Sequence, residues 1–398
     1  MKKIKILTFT TLFPHAGHPT QGLFVVERLR HLQASGQVDI RVVAPLPWFP
    51  ITHQKLNPYA WLAKNTPEQE IIQGLTVQHP RYFLMPKLGM NMAPLSIALS
   101  SLPLLKRLID QGYDFDLIDA HYFFPDGVAA IILGKLLNKP VVITARGSDL
   151  NQIPRYFLPR KMIHWAAKEA DGIITVCAAL KKTLVEDMGR DAEAITVLRN
   201  GVDLDKFHPQ ERLHLRKRLG LTRPTLLSVG FLINRKGHDM VIRAMEHLPD
   251  MDLLIAGGGP MGGNLQALIE QLGVGDRVKL IGELPQDALV DYYCGADALI
   301  LASSREGWAN VLLESMACGT PVVASGVWGT PEAVCTKDAG LLMAERSING
   351  VVEGVKTLLG NPPDRAATRR HAEQFSWEKT TQGQLDLFAE ICAAKKNS

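Results

Sequence analysis

The feature that most constrains this chain is a succession of unbroken Val/Ile/Leu-rich runs separated by stretches of helical periodicity. In the first half the runs are IKILTFT (4–10), VDIRVVAP (38–45), FDLIDAH (115–121), PVVITARG (140–147), GIITV (172–176) and AITVLRN (194–200). In the second half they are TLLSVG (225–230), DLLIAG (252–257), RVKLIG (277–282), ALILAS (298–303) and TPVVAS (320–325). A strand without alternation is apolar on both faces, so both faces must be covered. Parallel strands with helices above and below satisfy that need. Two such series predict two doubly wound, Rossmann-like α/β domains, and 398 residues exceed what one core usually serves. The periodicity stops in NGVDLDKFHPQ (200–210), where Pro209 blocks helix continuation. The predicted domains are 1–203 and 204–375, with a closing helix in 376–398 packing back on the first. Ligands of open α/β sheets bind beyond the carboxyl ends of the strands, so the expected site is a cleft between the domains.

Charge narrows the partners. Residues 1–200 hold 23 Lys and Arg against 16 Asp and Glu, whereas the remainder holds 21 against 24. A basic first half suits an acidic partner, either anionic lipid or a phosphorylated substrate. No basic run with interleaved aromatics points to nucleic acid. Five scattered cysteines without a Cys-x-x-Cys pair fit a reducing cytoplasm and give neither a disulfide framework nor a zinc site. MKKIKILTFTTLF reads as a first strand, because no small-residue cleavage site follows it. Lys87 and Lys106 bracket an uncharged stretch, LGMNMAPLSIALSSLPLL, in which Asn91, Pro94 and Pro103 argue against a membrane span. It reads either as an ordinary packed segment or as a surface helix touching the bilayer interface.

The chemistry-bearing motifs sit at predicted strand ends. In SSREGWANVLLESMACGTPVVAS (303–325), Glu306 falls in the loop after ALILAS and Glu314 about one turn into the next helix, with Asn310 as its expected cap. The backbone N–H groups of Trp308, Ala309, Asn310 and Val311 would point out of that helix start, which suits an anion. Carboxylates flanking an anion site repel phosphate but accept hydrogen bonds from hydroxyls. The pattern therefore fits a sugar–diphosphate–sugar ligand better than solvated surface charges. Arg235 and Lys236 follow the strand ending at Gly230 and could neutralise a diphosphate, although a surface Arg-Lys pair is common. His121 ends FDLIDAH and could donate a hydrogen bond or move a proton, or be a structural histidine. One strand later, Arg146, Ser148 and Asp149 occupy an equivalent strand end. Gly22 precedes a helix where backbone could approach a phosphate, or it simply forms a turn. No Walker loop, nucleophile elbow or metal-ligand spacing is present.

With these residues in place, the chain resembles the retaining, GT-B-fold glycosyltransferases of family 4, and within them bacterial enzymes of surface-polysaccharide and teichuronic-acid-type assembly. The resemblance spans nearly the whole chain. It rests on the Glu-x7-Glu signature (Glu306 to Glu314) with GTPVVAS, on SVGFLINRKGHDMVIRAM, AGGGP and RNGVDLDKFHP, and on His121 and the FSWE helix. It implies a hexosyltransferase with a UDP- or GDP-sugar donor, a glycan or lipid-linked acceptor, no cofactor and no metal. Glu306 would hold donor-sugar hydroxyls and Glu314 the ribose. Arg235 and Lys236 would neutralise the diphosphate, aided by backbone at Gly22, Gly230 and residues 307–311 (Gly307, Trp308, Ala309, Asn310, Val311). His121 would lie near the transferred sugar, and Arg146 and Asp149 on the acceptor side. The chain departs from many relatives in Phe231 after Gly230, in Trp308-Ala309, which shapes the expected sugar pocket, and in Arg146, which favours an anionic contact. The expected location is cytoplasmic, peripheral on the inner face of the plasma membrane through the basic first domain. A nucleotide-sugar epimerase and a catalytically silent assembly partner are the alternatives.

Overall fold

The computed structural model describes residues 3–50, 53, 58–85 and 89–396; Lys87 lies outside these. The chain divides into two compact units, Met1–Arg199 with Glu378–Ser398, and Asn200–Trp377.

The first unit is built on an eight-stranded sheet. Its strands are β1 (Ile4–Phe9), β2 (Val38–Val43), β4 (Gln69–Ile72), β5 (Leu75–Gln78), β7 (Leu117–His121), β8 (Val141–Ala145), β9 (Gly172–Thr175) and β10 (Ile195–Val197). Their order is β10-β9-β8-β7-β1-β2-β5-β4, parallel except for the β4–β5 hairpin. A small sheet pairs β3 (Leu46–Trp48) with β6 (Arg81–Phe83). β1, β7, β8 and β9 carry Val, Ile, Leu and Phe side chains that are almost wholly buried, as parallel strands covered on both faces must be. The helix Leu23–Ala34 contributes Val25, Val26 and Leu29 to the core on one face. The closing helix Trp377–Lys396 adds Phe388, Ile391 and Cys392 to the same cluster. Gly22 heads the Leu23–Ala34 helix with φ +66, and a Cβ there would stand 2.1 Å from the Leu12 carbonyl oxygen. Close backbone approach alone therefore demands glycine at this position.

The second unit has a six-stranded parallel sheet, ordered β13-β12-β11-β14-β15-β16. The strands are β11 (Thr225–Val229), β12 (Asp252–Ala256), β13 (Val278–Gly282), β14 (Ala298–Leu301), β15 (Val322–Ser325) and β16 (Gly340–Met343). Leu226, Leu253, Ile255, Ile300 and Val323 form its core with Val241, Ile242, Val351 and Val355 from the helices. Both units are Rossmann-like, with parallel strands delivering their carboxyl ends to one edge of each sheet.

Candidate functional site

β11 and β14 are neighbours, so the loops leaving their carboxyl ends run side by side. The loop after β11 turns through Asn234–Lys236 and is pinned to the loop after β14 by two bonds. Ser304 N–H donates to the Arg235 carbonyl and Arg235 Nη1 to the Arg305 carbonyl, each at 2.8 Å. This places Lys236 Nζ 2.7 Å from Glu306 Oε1 and Arg235 Nη1 3.5 Å from Oε2. Gly230, with φ +152, lies against the Lys236 stem, where a Cβ would stand 3.3 Å from Lys236 Cε. Burial alone would raise the Glu306 carboxyl. The charges of Lys236 and Arg235, with hydrogen bonds from Lys236 and Ser303, instead hold it below its ordinary value. Glu306 is thus an ionised acceptor between two cations, and the trio carries a net positive charge. Lys236 has three N–H donors, of which one is taken by Glu306.

Gly307 leads into the helix Asn310–Ala317. Its cap position is held by Ala309, with φ −90° and ψ 90°, and no side chain closes it. Asn310, expected as the cap, is instead the first helical residue, and its Oδ1 accepts from Asn200 Nδ2 at 3.3 Å. Val311 follows in the first turn, so the helix start presents backbone N–H groups without a competing side-chain cap. Trp308 does not stand as a free wall. Its Nε1 donates to the Asn200 carbonyl at 3.0 Å, and its ring packs 5.8 Å from Phe375. The indole anchors the loop to both ends of the unit's chain, at Asn200 and Phe375. Glu314 is buried and accepts from the Tyr293 hydroxyl at 2.8 Å. Burial, with the neighbouring Glu314 carboxylate, raises the Tyr293 phenol well above its ordinary value, so it stays a donor.

In the first unit, the adjacent strands β7 and β8 bring His121, Arg146 and Asp149 together. His121 is fully buried, with Nε2 3.2 Å from Asp119 Oδ2 and Nδ1 hydrogen-bonded by Arg146 Nη2. Burial pushes the imidazole down to about 4; Asp119 opposes the fall and Arg146 adds to it. His121 is therefore a neutral ring with both nitrogens facing protein groups, a hydrogen-bonded arrangement of the kind that stood beside proton transfer among its expected roles. Arg146 lies 5.3 Å over the Phe24 ring, in the first turn of the helix headed by Gly22. Asp149, expected on the acceptor side, is turned inward. Its oxygens accept from the backbone N–H groups of Phe123, Arg146 and Gly147 at 2.7–3.1 Å, which fixes the turn after β8.

Sequence reasoning missed three supports. Tyr293 reaches Glu314 from the helix Gln286–Gly295. Asp119 is fully buried two residues before His121. Gln384, from the closing helix, donates to Asp119 Oδ2 at 3.3 Å and accepts from Arg28 Nε at 2.8 Å. The alternation in LIDAH placed a carboxylate on the same strand face as His121, which was the available signal. Among the described residues, no group of three or more His, Cys, Asp or Glu is arranged to hold a metal ion.

Two family models match the chain: "Glycosyltransferase Family 4" over residues 21–206 and "Glycosyl transferases group 1" over residues 210–375. The chain is 30% identical over 361 residues to TuaC of Bacillus subtilis (strain 168), named as a teichuronic acid biosynthesis glycosyltransferase, covering 88% of each. It is 34% identical over 237 residues to a D-inositol 3-phosphate glycosyltransferase of Rhodococcus jostii (strain RHA1), covering 55% of this chain and 52% of that one. In structure it is similar to the sucrose-phosphate synthase of Thermosynechococcus elongatus, with a TM-score of 0.81 at 20% identity, covering 99% and 100%. It is also similar to Anabaena Alr3699/HepE, solved in complex with UDP-glucose, with a TM-score of 0.71 at 19% identity, covering 98% and 100%. At these identities the structures speak for the fold alone.

Proposed function

This chain belongs to the group 1 and family 4 glycosyltransferases, and from that premise we propose that it moves a sugar from a UDP- or GDP-sugar to a glycan or lipid-linked acceptor, with retention and without a metal ion. The observation that carries the reading is the Lys236–Glu306–Arg235 trio at the paired carboxyl ends of β11 and β14. Two cations around one carboxylate leave room for an anionic leaving group, and the carboxylate accepts hydrogen bonds from sugar hydroxyls. In the transfer, the anomeric carbon–oxygen bond to the diphosphate breaks while the acceptor oxygen bonds to the same face. The acceptor's proton passes to the departing phosphate oxygen. Lys236, Arg235 and the backbone at the Asn310–Ala317 helix start stabilise the charge that develops. Glu306 holds the transferred sugar, and Glu314, oriented by Tyr293, accepts from the nucleotide's ribose. His121 acts by holding Arg146, the residue we assign to an acceptor anion.

A uridine donor, as in the UDP and UDP-glucose complexes of Alr3699/HepE, is the first to try, and the TuaC relationship favours cell-envelope polysaccharide as the pathway. We place the enzyme in the cytoplasm, at the inner face of the plasma membrane. A thermal-shift screen against nucleotide sugars identifies the donor, because a ligand of the folded state raises the melting point. With that donor, Glu306→Gln should abolish transfer in a variant that still folds, its circular dichroism matching wild type although the lost ion pair lowers its melting point. Wild-type turnover in that variant overturns the assignment. New nucleotide sugar formed without any acceptor would instead identify an epimerase.

A further inference from the structure

The helix Gly89–Asp110 is long and apolar enough to cross a membrane, yet Ala93, Pro94, Ile97, Ala98, Ser101 and Leu105 bury one of its faces in the first unit. A surface helix of a water-soluble unit ordinarily turns charged residues outward. This one turns out Met92, Leu95 and Leu99, which are 61%, 43% and 56% exposed and spaced as one helical stripe. The helix runs on to exposed Lys106 and Arg107.

The stripe does not stand alone. Ser96 Oγ donates to the Phe83 carbonyl at 2.8 Å, which ties the helix to β6. There the half-exposed Phe83 and Trp48 rings meet at 6.4 Å. Between Glu70 and Asp110 the sequence holds no acidic residue. Apolar side chains, an aromatic pair and two cations match the chemistry of a bilayer interface, with Asp110 the one acidic residue of the helix, at its last position. A protein partner would more often be met by satisfied polar groups around an apolar centre.

We propose that the Met92–Leu95–Leu99 stripe, with the Trp48–Phe83 pair beside it, lies in the headgroup layer of a bilayer containing anionic phospholipid, and that Lys106 and Arg107 contact its phosphates. The helix lies along the surface, since its other face belongs to the core. The proposal deepens the peripheral location given above by naming the surface, and it is independent of donor chemistry.

The test is flotation of the full chain with phosphatidylcholine vesicles, with and without phosphatidylglycerol. Wild type should bind the anionic vesicles, with a blue shift of tryptophan fluorescence that Trp48→Phe diminishes. Lys106→Gln with Arg107→Gln should weaken binding roughly thirtyfold, and salt should do likewise. Leu95→Gln with Leu99→Gln should weaken it on the order of tenfold or more, at an unchanged melting point and unchanged thermal shift by UDP. Failure of wild type to float, with the UDP shift intact, overturns the surface while leaving the transferase reading untouched. Leucine variants that bind like wild type overturn the stripe. A wild-type dimer that these variants convert to monomer, without vesicle binding, assigns the stripe to a second copy and overturns the proposal.

Discussion

Asp126 offers a perturbation whose sign and size follow from its surroundings. It lies in the turn after β7, fully buried, where Oδ2 accepts from Thr11 N–H at 2.8 Å and Thr10 Oγ1 at 3.1 Å. Thr11 Oγ1 lies 2.9 Å from Oδ1. Burial raises the carboxyl from 3.8 to about 7, against the opposing hydrogen bonds from Thr11 and Thr10 and with some help from Asp149. Between those values the folded chain keeps a proton that the unfolded chain has released, so stability falls as pH rises. The contribution is fully present below 3.8 and lost by the time the pH passes about 7. At about 1.4 kcal/mol per pKa unit, the whole loss is about 4 kcal/mol, of which about 3 kcal/mol falls between about pH 5 and pH 8. Asp126→Asn keeps the shape and an acceptor for Thr11 N–H but cannot ionise. In urea unfolding, with each transition fitted separately, the variant's stability relative to wild type should rise by about 3 kcal/mol from about pH 5 to about pH 8. A difference that stays constant over this range refutes the reasoning. It would mean that the threonine bonds outweigh burial and that the carboxylate is ionised throughout.

Lys236→Met should lower kcat by about 10²- to 10³-fold at saturating donor, the scale of losing one preorganised charge-stabilising group; an unchanged kcat removes Lys236 from the chemistry. The same substitution should also cost stability by weakening the ion pair that depresses Glu306. Because a depressed carboxyl stabilises above its ordinary 4.5 and loses that contribution as pH falls through its lower folded value, the stability gap to wild type should close on acidification. Tyr293→Phe leaves Glu314 without its 2.8 Å donor and should cost about 1.5–3 kcal/mol in thermal unfolding while raising the donor KM. Gln384→Leu removes partners from both Arg28 and Asp119 and should destabilise the first unit by roughly 2–4 kcal/mol; a shift of a few tenths would show that the network rearranges freely.

The parallel sheets were legible because strands buried on both faces leave unbroken apolar runs that no other element requires. The strands that escaped notice are short or lie at sheet edges. β4 and β5 are four residues each, joined at Gln73-Gly74 with φ of +48° and +81°, and alternate polar residues break their apolar pattern. β16 is a four-residue edge strand. At the site, Glu306, Arg235 and Lys236 could each be placed at a strand end, because strand ends are local features. That Lys236 reaches Glu306 directly depends on β11 lying next to β14, a matter of strand order that no local pattern encodes. Trp308 and Asp149 were expected to face a ligand and the Asn310 side chain to cap its helix, whereas the structure engages the indole, the carboxylate and the side-chain amide within their own units. His121 was visible as a residue but not as a ring held between Asp119 and Arg146, since the second partner comes from another strand.

The closing helix has a consequence for how the molecule is made. Phe388 and Ile391 complete the core around Val25 and Leu29, and Gln384 completes the buried pairing of Arg28 with Asp119. A ribosome delivers those residues more than 180 positions after Arg199, the last of the first unit's opening stretch. The second unit, contiguous from Asn200 to Trp377, has all its parts before Phe388 is added. Synthesis therefore runs first-to-second, but completion runs second-to-first. In the interval, the face of the first sheet that awaits Phe388 stays uncovered, and it is then that the nascent chain most needs protection from aggregation.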